Sequence, residues 1–115
     1  MKLELKWKRD EFIFDLGILE KIGDEYVFKI DEEGLGQAIK KGCLGIGNFD
    51  LRQREYHSKE LFSFFKNRII DENEMNVKEL LGRYEIEKYD EMQLLKATKA
   101  RLATDNYFME EDKSE

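Results

Sequence analysis

The feature that most constrains this chain is a change of hydrophobic period near residue 31. Before it, apolar and polar side chains alternate. Leu3, Leu5 and Trp7 fall on one side of an extended segment, and Lys2, Glu4, Lys6 and Lys8 on the other. Phe12, Phe14, Leu16 and Ile18 repeat the alternation after the polar break Arg9-Asp10-Glu11, and Tyr26, Phe28 and Ile30 repeat it again. A period of two marks half-buried strands with one face toward a core. Gly23-Asp24 supplies a two-residue turn, so three strands form an antiparallel meander. Strict alternation places Trp7 inward and makes Leu16 and Ile18 neighbours on the same face.

After residue 31 the spacing becomes helical. Asp31 is an N-cap, Glu32 and Glu33 occupy a first turn, Lys40 and Lys41 a last turn, and Gly42 a stop. That order of charges suits the helix dipole. Leu35, Ala38 and Ile39 form its apolar stripe, while Gly34 and Gly36 each weaken it by about 1 kcal/mol relative to alanine. Residues 43–47, rich in glycine, read as a strand, and residues 48–57 as a polar loop. Ser58 caps a second helix with Leu61, Phe62, Phe65 and Ile69 on one face and Phe64 beside them. Asn76 with Glu79 forms a capping box before Val77, Leu80, Leu81 and Tyr84, and Asp90 with Gln93 repeats the device before Met92, Leu94 and Leu95. Residues 98–105 read as a loop and Tyr107-Phe108-Met109 as a last strand.

Strands first and helices afterwards predict an α+β fold. The expectation is a small antiparallel sheet, made of the meander plus one or two later strands, with three to four helices packed on one side. The expected domain is single and spans residues 1–109, followed by a charged flexible tail at 110–115.

Composition narrows the function classes. The 115 residues carry a formal charge of −6, with 40% charged and 41% hydrophobic side chains. An acidic balance of this kind lacks the basic field that displaces counterions from phosphates, so direct nucleic-acid binding is not expected. Cys43 is the one cysteine, which leaves no intramolecular disulfide to form and favours a reducing compartment. The alternating first residues contain no continuous apolar signal segment, and no run approaches a membrane span. The expected setting is cytoplasmic.

Catalysis finds little support. A nucleophile would be Cys43 or a serine activated by His57, the one histidine, but Cys43 lies among apolar and glycine residues, the setting of an inert buried thiol. The acidic clusters Asp31-Glu32-Glu33 and Glu110-Glu111-Asp112 are runs without the spacing of a calcium loop. Gly42, Gly45 and Gly47 have neither a phosphate-loop Lys-Ser/Thr nor the dinucleotide order. No catalytic, metal or cofactor residue is expected, and the chain reads as a non-enzyme.

Three segments carry a family resemblance. Leu16-Gly17-Ile18-Leu19, followed by Glu25-Tyr26-Val27-Phe28-Lys29-Ile30, resembles the paired "V-G-x-L … F-x-Y" strands that open HipA-type proteins. The helix from Leu61 to Asp71, with Phe62-Ser63-Phe64-Phe65-Lys66-Asn67-Arg68, is similar to the "F-x-F-F-x-N-L-L-P-E" helix of their N-terminal subdomain. Asp90-Glu91-Met92-Gln93-Leu94-Leu95 resembles the "D-x-F-x-L-L" helix that follows there. Order and approximate spacing agree from about residue 12 to residue 109. The chain departs at Ile70-Asp71-Glu72, where the family has Leu-Pro-Glu, and at residues 99–105, where the family is glycine-rich.

HipA toxins are serine/threonine kinases with this subdomain in front. No Asp-Phe-Gly or catalytic-loop signature occurs here. The resemblance therefore implies an antitoxin-like or accessory protein whose partners are a HipA-like kinase and a HipB-like DNA-binding protein. An alternative resemblance, carried by Phe64-Phe65-Lys66-Asn67-Arg68 with Thr104-Asp105, is to accessory segments beside HIRAN-type DNA-binding domains. Binding residues concentrate on loops of a rigid scaffold. The expected partner-facing residues are thus Arg52, Arg54 and His57 in the longest loop, Lys99 and Arg101 in the late loop, and Phe64 off the main helical face.

Overall fold

A computed structural model describes residues 1–50 and 52–112. Among these, the order of elements is β1 (Lys2–Arg9), β2 (Phe12–Ile22), β3 (Glu25–Ile30), α1 (Glu32–Lys40), β4 (Glu55–Ser58), α2 (Ser63–Lys66), α3 (Val77–Arg83), α4 (Glu91–Thr98) and β5 (Tyr107–Glu111). The strands form one antiparallel sheet in the order β4-β3-β2-β1-β5. The α+β class, the meander and the helices on one side stand as read from the sequence.

The meander turns at Asp10-Glu11 and Gly23-Asp24, with positive φ at Asp10 (55°) and Gly23 (63°). Leu3, Leu5 and Trp7 are buried on the inner face of β1 as alternation requires. In β2 the alternation breaks. Leu5 pairs with Gly17 and Lys6 with Asp15, so Leu16 is an extra residue opposite no partner. This β-bulge shifts the inward set by one position. Phe14, Leu16 and Leu19 pack into the core, and Ile18 turns to the outer face, where strict alternation had placed it inside.

The bulge also seats α1. The Leu16 carbonyl accepts from the Asp31 amide at 2.9 Å, and the Asp31 carboxylate accepts from the Gly34 amide at 2.9 Å. A Cβ at Gly34 would lie 1.8 Å from the Asp15 carbonyl oxygen, so this glycine is where helix and strand backbones touch. Leu35 and Ala38 are buried, whereas Ile39, expected in the same stripe, is 43% exposed. The helix closes with bonds from the Gly42 amide to Ile39 and from the Cys43 amide to Ala38, a Schellman pattern.

Three sequence expectations are corrected here. Residues 43–47 form no strand, because Gly45 (φ 95°) and Gly47 (φ 52°) leave the extended region. They anchor instead through buried Cys43 and Ile46, with Leu44 97% exposed. Residues 55–57, taken as loop, and Ser58, taken as a cap, pair with β3 as strand β4. One apolar residue in Glu55-Tyr56-His57-Ser58 shows no period, and the pairing comes from the free edge of β3. The helix expected from Ser58 to Ile69 is the single turn α2, and the Ser58 hydroxyl accepts from the Glu60 amide rather than capping it.

Aromatic packing replaces helical hydrogen bonding around α2. Phe65, fully buried, meets Phe28 edge-on at 5.1 Å, and Phe49 contacts Phe28 at 5.0 Å and Phe62 at 5.3 Å. Burying one such side chain is worth about 1.5–3 kcal/mol. The Asp90 cap forms as read, accepting from the Gln93 amide at 3.0 Å, and α4 buries Met92, Leu94 and Leu95. The Asn76 cap makes no side-chain bond, and α3 buries none of its residues fully. Strand β5 forms as read but runs on through Glu110 and Glu111, which were expected in the tail, and residues 113–115 lie outside the described residues.

The two glycines of α1 have opposite mutational signs. Gly34→Ala is expected to destabilise the protein by more than about 2 kcal/mol, since backbone must move to admit the methyl. Gly36 has nothing within 4 Å of its virtual Cβ, so Gly36→Ala is expected to stabilise by about 0.5–1 kcal/mol through helix propensity. Denaturant unfolding of the two variants checks both signs.

Candidate partner-binding surface

The polar centre of the molecule is Arg68, which follows the single turn of α2. Its side chain is 3% exposed. The guanidinium forks onto Asp105 at 2.9 and 2.7 Å, donates from Nε to the Ala100 carbonyl at 2.5 Å, and reaches the Tyr107 carbonyl at 3.3 Å. The rings of Phe64 and Tyr107 lie 5.3 and 5.4 Å from it. Burial pushes the Asp105 carboxyl up, but the hydrogen bonds and charge of Arg68 outweigh burial and hold it below the usual range. The Tyr107 hydroxyl donates to the Gly45 carbonyl at 2.5 Å and sits 3.6 Å from Cys43 Sγ. Burial, then the neighbouring Cys43, push this phenol well above its ordinary value.

These contacts join α2, residues 99–105, β5 and residues 43–47, so the constellation is a clamp. Lys99 and Ala100 hold left-handed backbone (φ 57° and 52°) within it, a conformation that glycine adopts at less cost. Cys43 is buried on the core side, and His57 is engaged elsewhere, so the two do not meet as a dyad. Among the described residues no group of His, Cys, Asp or Glu is arranged to hold a metal ion. Among them, too, no helix is long and apolar enough to cross a membrane.

The expected partner-facing residues fall at different places. Arg52, Arg54 and His57 lie in or beside β4, at one edge of the sheet, while Lys99 and Arg101 lie beside β5, at the other. Arg52 is 91% exposed and forks onto Asp50 two residues away. Arg54 pairs with Glu32 at 2.8 Å. Phe64, read as turned outward, is half-buried instead, against Phe65, Tyr107 and Arg68. Its ring would stand 3.0 Å from a Cβ at Gly47, which closes it in. Arg101 lies over the Phe108 ring at 5.4 Å. The pairing of Arg68 with Asp105 spans 37 positions; both residues lay in segments marked by the sequence, but no local period joins them.

His57 is held on both ring nitrogens, Nδ1 by Glu25 at 2.7 Å and Nε2 by Glu55 at 2.5 Å. The hydrogen bond to Glu25, then that to Glu55, raise its pKa, and the His57 bond lowers that of Glu55. When protonated, His57 can donate from both nitrogens and cross-links β3 and β4.

The chain matches no protein-family model, and no curated protein or solved structure shows significant similarity to it.

Two outcomes are expected. Arg68→Ala should cost about 3 kcal/mol or more, because Asp105 is left without its partner and the loop loses its clamp; thermal unfolding reads this directly. The β4 edge should depend on pH at both ends. A raised imidazole pKa contributes stability that is complete below its unfolded value, about 6.5, and is lost as pH rises through the folded value. A lowered Glu55 pKa contributes stability that is lost as pH falls through the folded carboxylate value. Protection of the amides of residues 55–58, taken relative to the intrinsic exchange rate at each pH, should therefore be greatest between those ranges, and His57→Gln should abolish the alkaline limb.

Proposed function

We propose that this chain is a non-catalytic protein-binding module that regulates a HipA-like serine/threonine kinase. One arrangement supports the reading: residues of the three segments that resemble the HipA N-terminal subdomain pack on one another. Gly17 lies against β3, where a Cβ would come within 2.5 Å of the Lys29 carbonyl and 2.8 Å of the Phe28 ring. Phe28 meets Phe65 of the second segment, and Met92 and Leu95 of the third join the same core. The resembling residues are thus the ones a folding unit of this kind needs, rather than scattered surface matches.

A unit of this sort acts by occupying a face of the kinase and holding it in an inactive arrangement. An interface of about 800 Å² per partner is the usual requirement. A HipB-like DNA-binding protein is a further partner of the same reading, in a cytoplasmic setting. A second reading, an accessory role beside a HIRAN-type DNA-processing protein, is favoured by the Arg68–Asp105 fork, which joins the two segments that carry that resemblance.

Affinity capture of the tagged chain from its native lysate, read by mass spectrometry, separates the two. A HipA-like kinase at near-equal stoichiometry is expected, and its activity should fall when the purified chain is added. Recovery of helicases or nucleases in its place would overturn the kinase reading in favour of the second.

A further inference from the structure

The end of the sheet near the first turn gathers Lys8, Arg9, Lys41 and Arg101. A cleft of about 460 Å³ opens between the end of β1 and residues 101–106. Phe108 and Leu102 provide its apolar lining, and Lys8 and Arg101 its cations. Arg101 rests on the Phe108 ring, which presents its guanidinium edge to solvent in a fixed place. Beyond Lys8, Arg9 Nη1 donates to the Lys41 carbonyl at 2.7 Å, and Lys41 Nζ stands 5.2 Å over the Phe12 ring. Phe12 is 49% exposed and stacks on Phe14.

Charge decides what suits this surface. Elsewhere some cations are spent on carboxylates, Lys6 on Asp15, Arg54 on Glu32, Lys66 on Glu91 and Lys96 on Glu111, while Lys21, Lys40, Lys59, Lys78, Lys88 and Lys99 make no ion pair among the described residues. Among the described residues, Lys8, Arg9, Lys41 and Arg101 have no carboxylate within ion-pair distance, in a chain of net charge −6. Of the two carboxylates that line the cleft, Asp105 is committed to Arg68, which leaves Asp10 at the turn. Phe108 is only 7% exposed, so the apolar surface offered here is Leu102 in the cleft and the Phe12 ring beyond it, and unneutralised cations beside them call for a negative partner that also brings apolar side chains.

We infer that this end of the sheet docks an acidic segment of a partner protein, with an apolar side chain entering over Leu102 and carboxylates meeting Lys8 and Arg101. Nucleic acid fits less well, because Asp10 and Glu11 stand at the tip of the same turn and interrupt any basic track a phosphate backbone would follow. The inference rests on the protein-binding reading above and adds the surface and the partner's chemistry.

The test titrates the isotope-labelled full chain with a short synthetic peptide that alternates glutamate with leucine and phenylalanine. Its controls are the same peptide with glutamine for glutamate, and a single-stranded oligonucleotide. The acidic peptide should shift the amide resonances of Lys8, Arg101, Leu102 and Phe108 and bind at least tenfold more tightly than the glutamine version. The double variant Lys8→Glu, Arg101→Glu should lose that preference while the remaining resonances keep their positions, which shows that it is folded. Equal binding of the two peptides, shifts centred elsewhere, or tighter binding of the oligonucleotide would overturn the inference. A captured native partner that binds the double variant as well as the original chain also overturns it, and leaves the protein-binding reading standing. An acidic peptide that binds in the cleft while capture returns no kinase supports the cleft and counts against the kinase reading.

Discussion

The β-bulge at Leu16 is the constraint on which the rest of the architecture depends. Without it, the two halves of β2 would present their apolar residues to opposite faces of the sheet, and half would be left in water. With it, Phe14 and Leu19 share one face although they are five positions apart. Beside it the Leu16 carbonyl receives the Asp31 amide, continuing the β2–β3 ladder past Gly17 and Ile30, and the Asp15 carbonyl lies against Gly34. A local fault in the strand ladder thereby sets the position of the first helix, and with it the layer that closes the core.

The C-terminal half is held by a different kind of force. α2 is one turn long, too short to be stable through its own hydrogen bonds. What fixes it is Phe65 in the core and Arg68 beneath the loop after α4. A buried charged pair seldom adds net stability over an apolar substitute, since both ions must leave water. Its value here is geometric: one guanidinium satisfies Asp105 and two backbone carbonyls, and so specifies where residues 99–107 run. Tyr26 extends the pattern, donating to Glu91 at 2.7 Å and tying β3 to the start of α4.

What was legible in the sequence follows from the range of the forces involved. The meander, the Asp31 and Asp90 caps and the last strand depend on neighbours within a few residues, and the periodicity shows them. The bulge was hidden because Leu16 and Ile18 are both apolar, so a shift of phase costs nothing visible in the pattern. β4 was hidden because its partner, β3, supplies the order. The length of α2 was misread because Leu61, Phe62 and Phe65 keep helical spacing while packing as an irregular aromatic cluster with Phe49 and Phe28. Of the expected partner-facing residues, Arg101 lies at the cleft, Phe64 belongs to the clamp, and His57 is a strand cross-link. Loop position and charge could not separate these roles, because the separation depends on which carboxylate each side chain finds in space.

That last point bears on how an acidic domain presents a binding surface. With 26 acidic and 20 basic side chains carboxylates outnumber cations, and Lys6, Arg54, Lys66 and Lys96 are among the cations that pair. Exposed pairs of this kind contribute little stability, about 0–1 kcal/mol each, but they do erase local potential. Three of the unpaired cations at this end of the sheet have a ring or a carbonyl as their neighbour: Arg101 has Phe108, Lys41 has Phe12, and Arg9 has the carbonyl that ends α1. Each of the three is positioned by a ring or a backbone oxygen, contacts that leave its charge intact. The potential at this end of the sheet is therefore a product of the fold, and a partner's carboxylates would meet it without first displacing an internal pair.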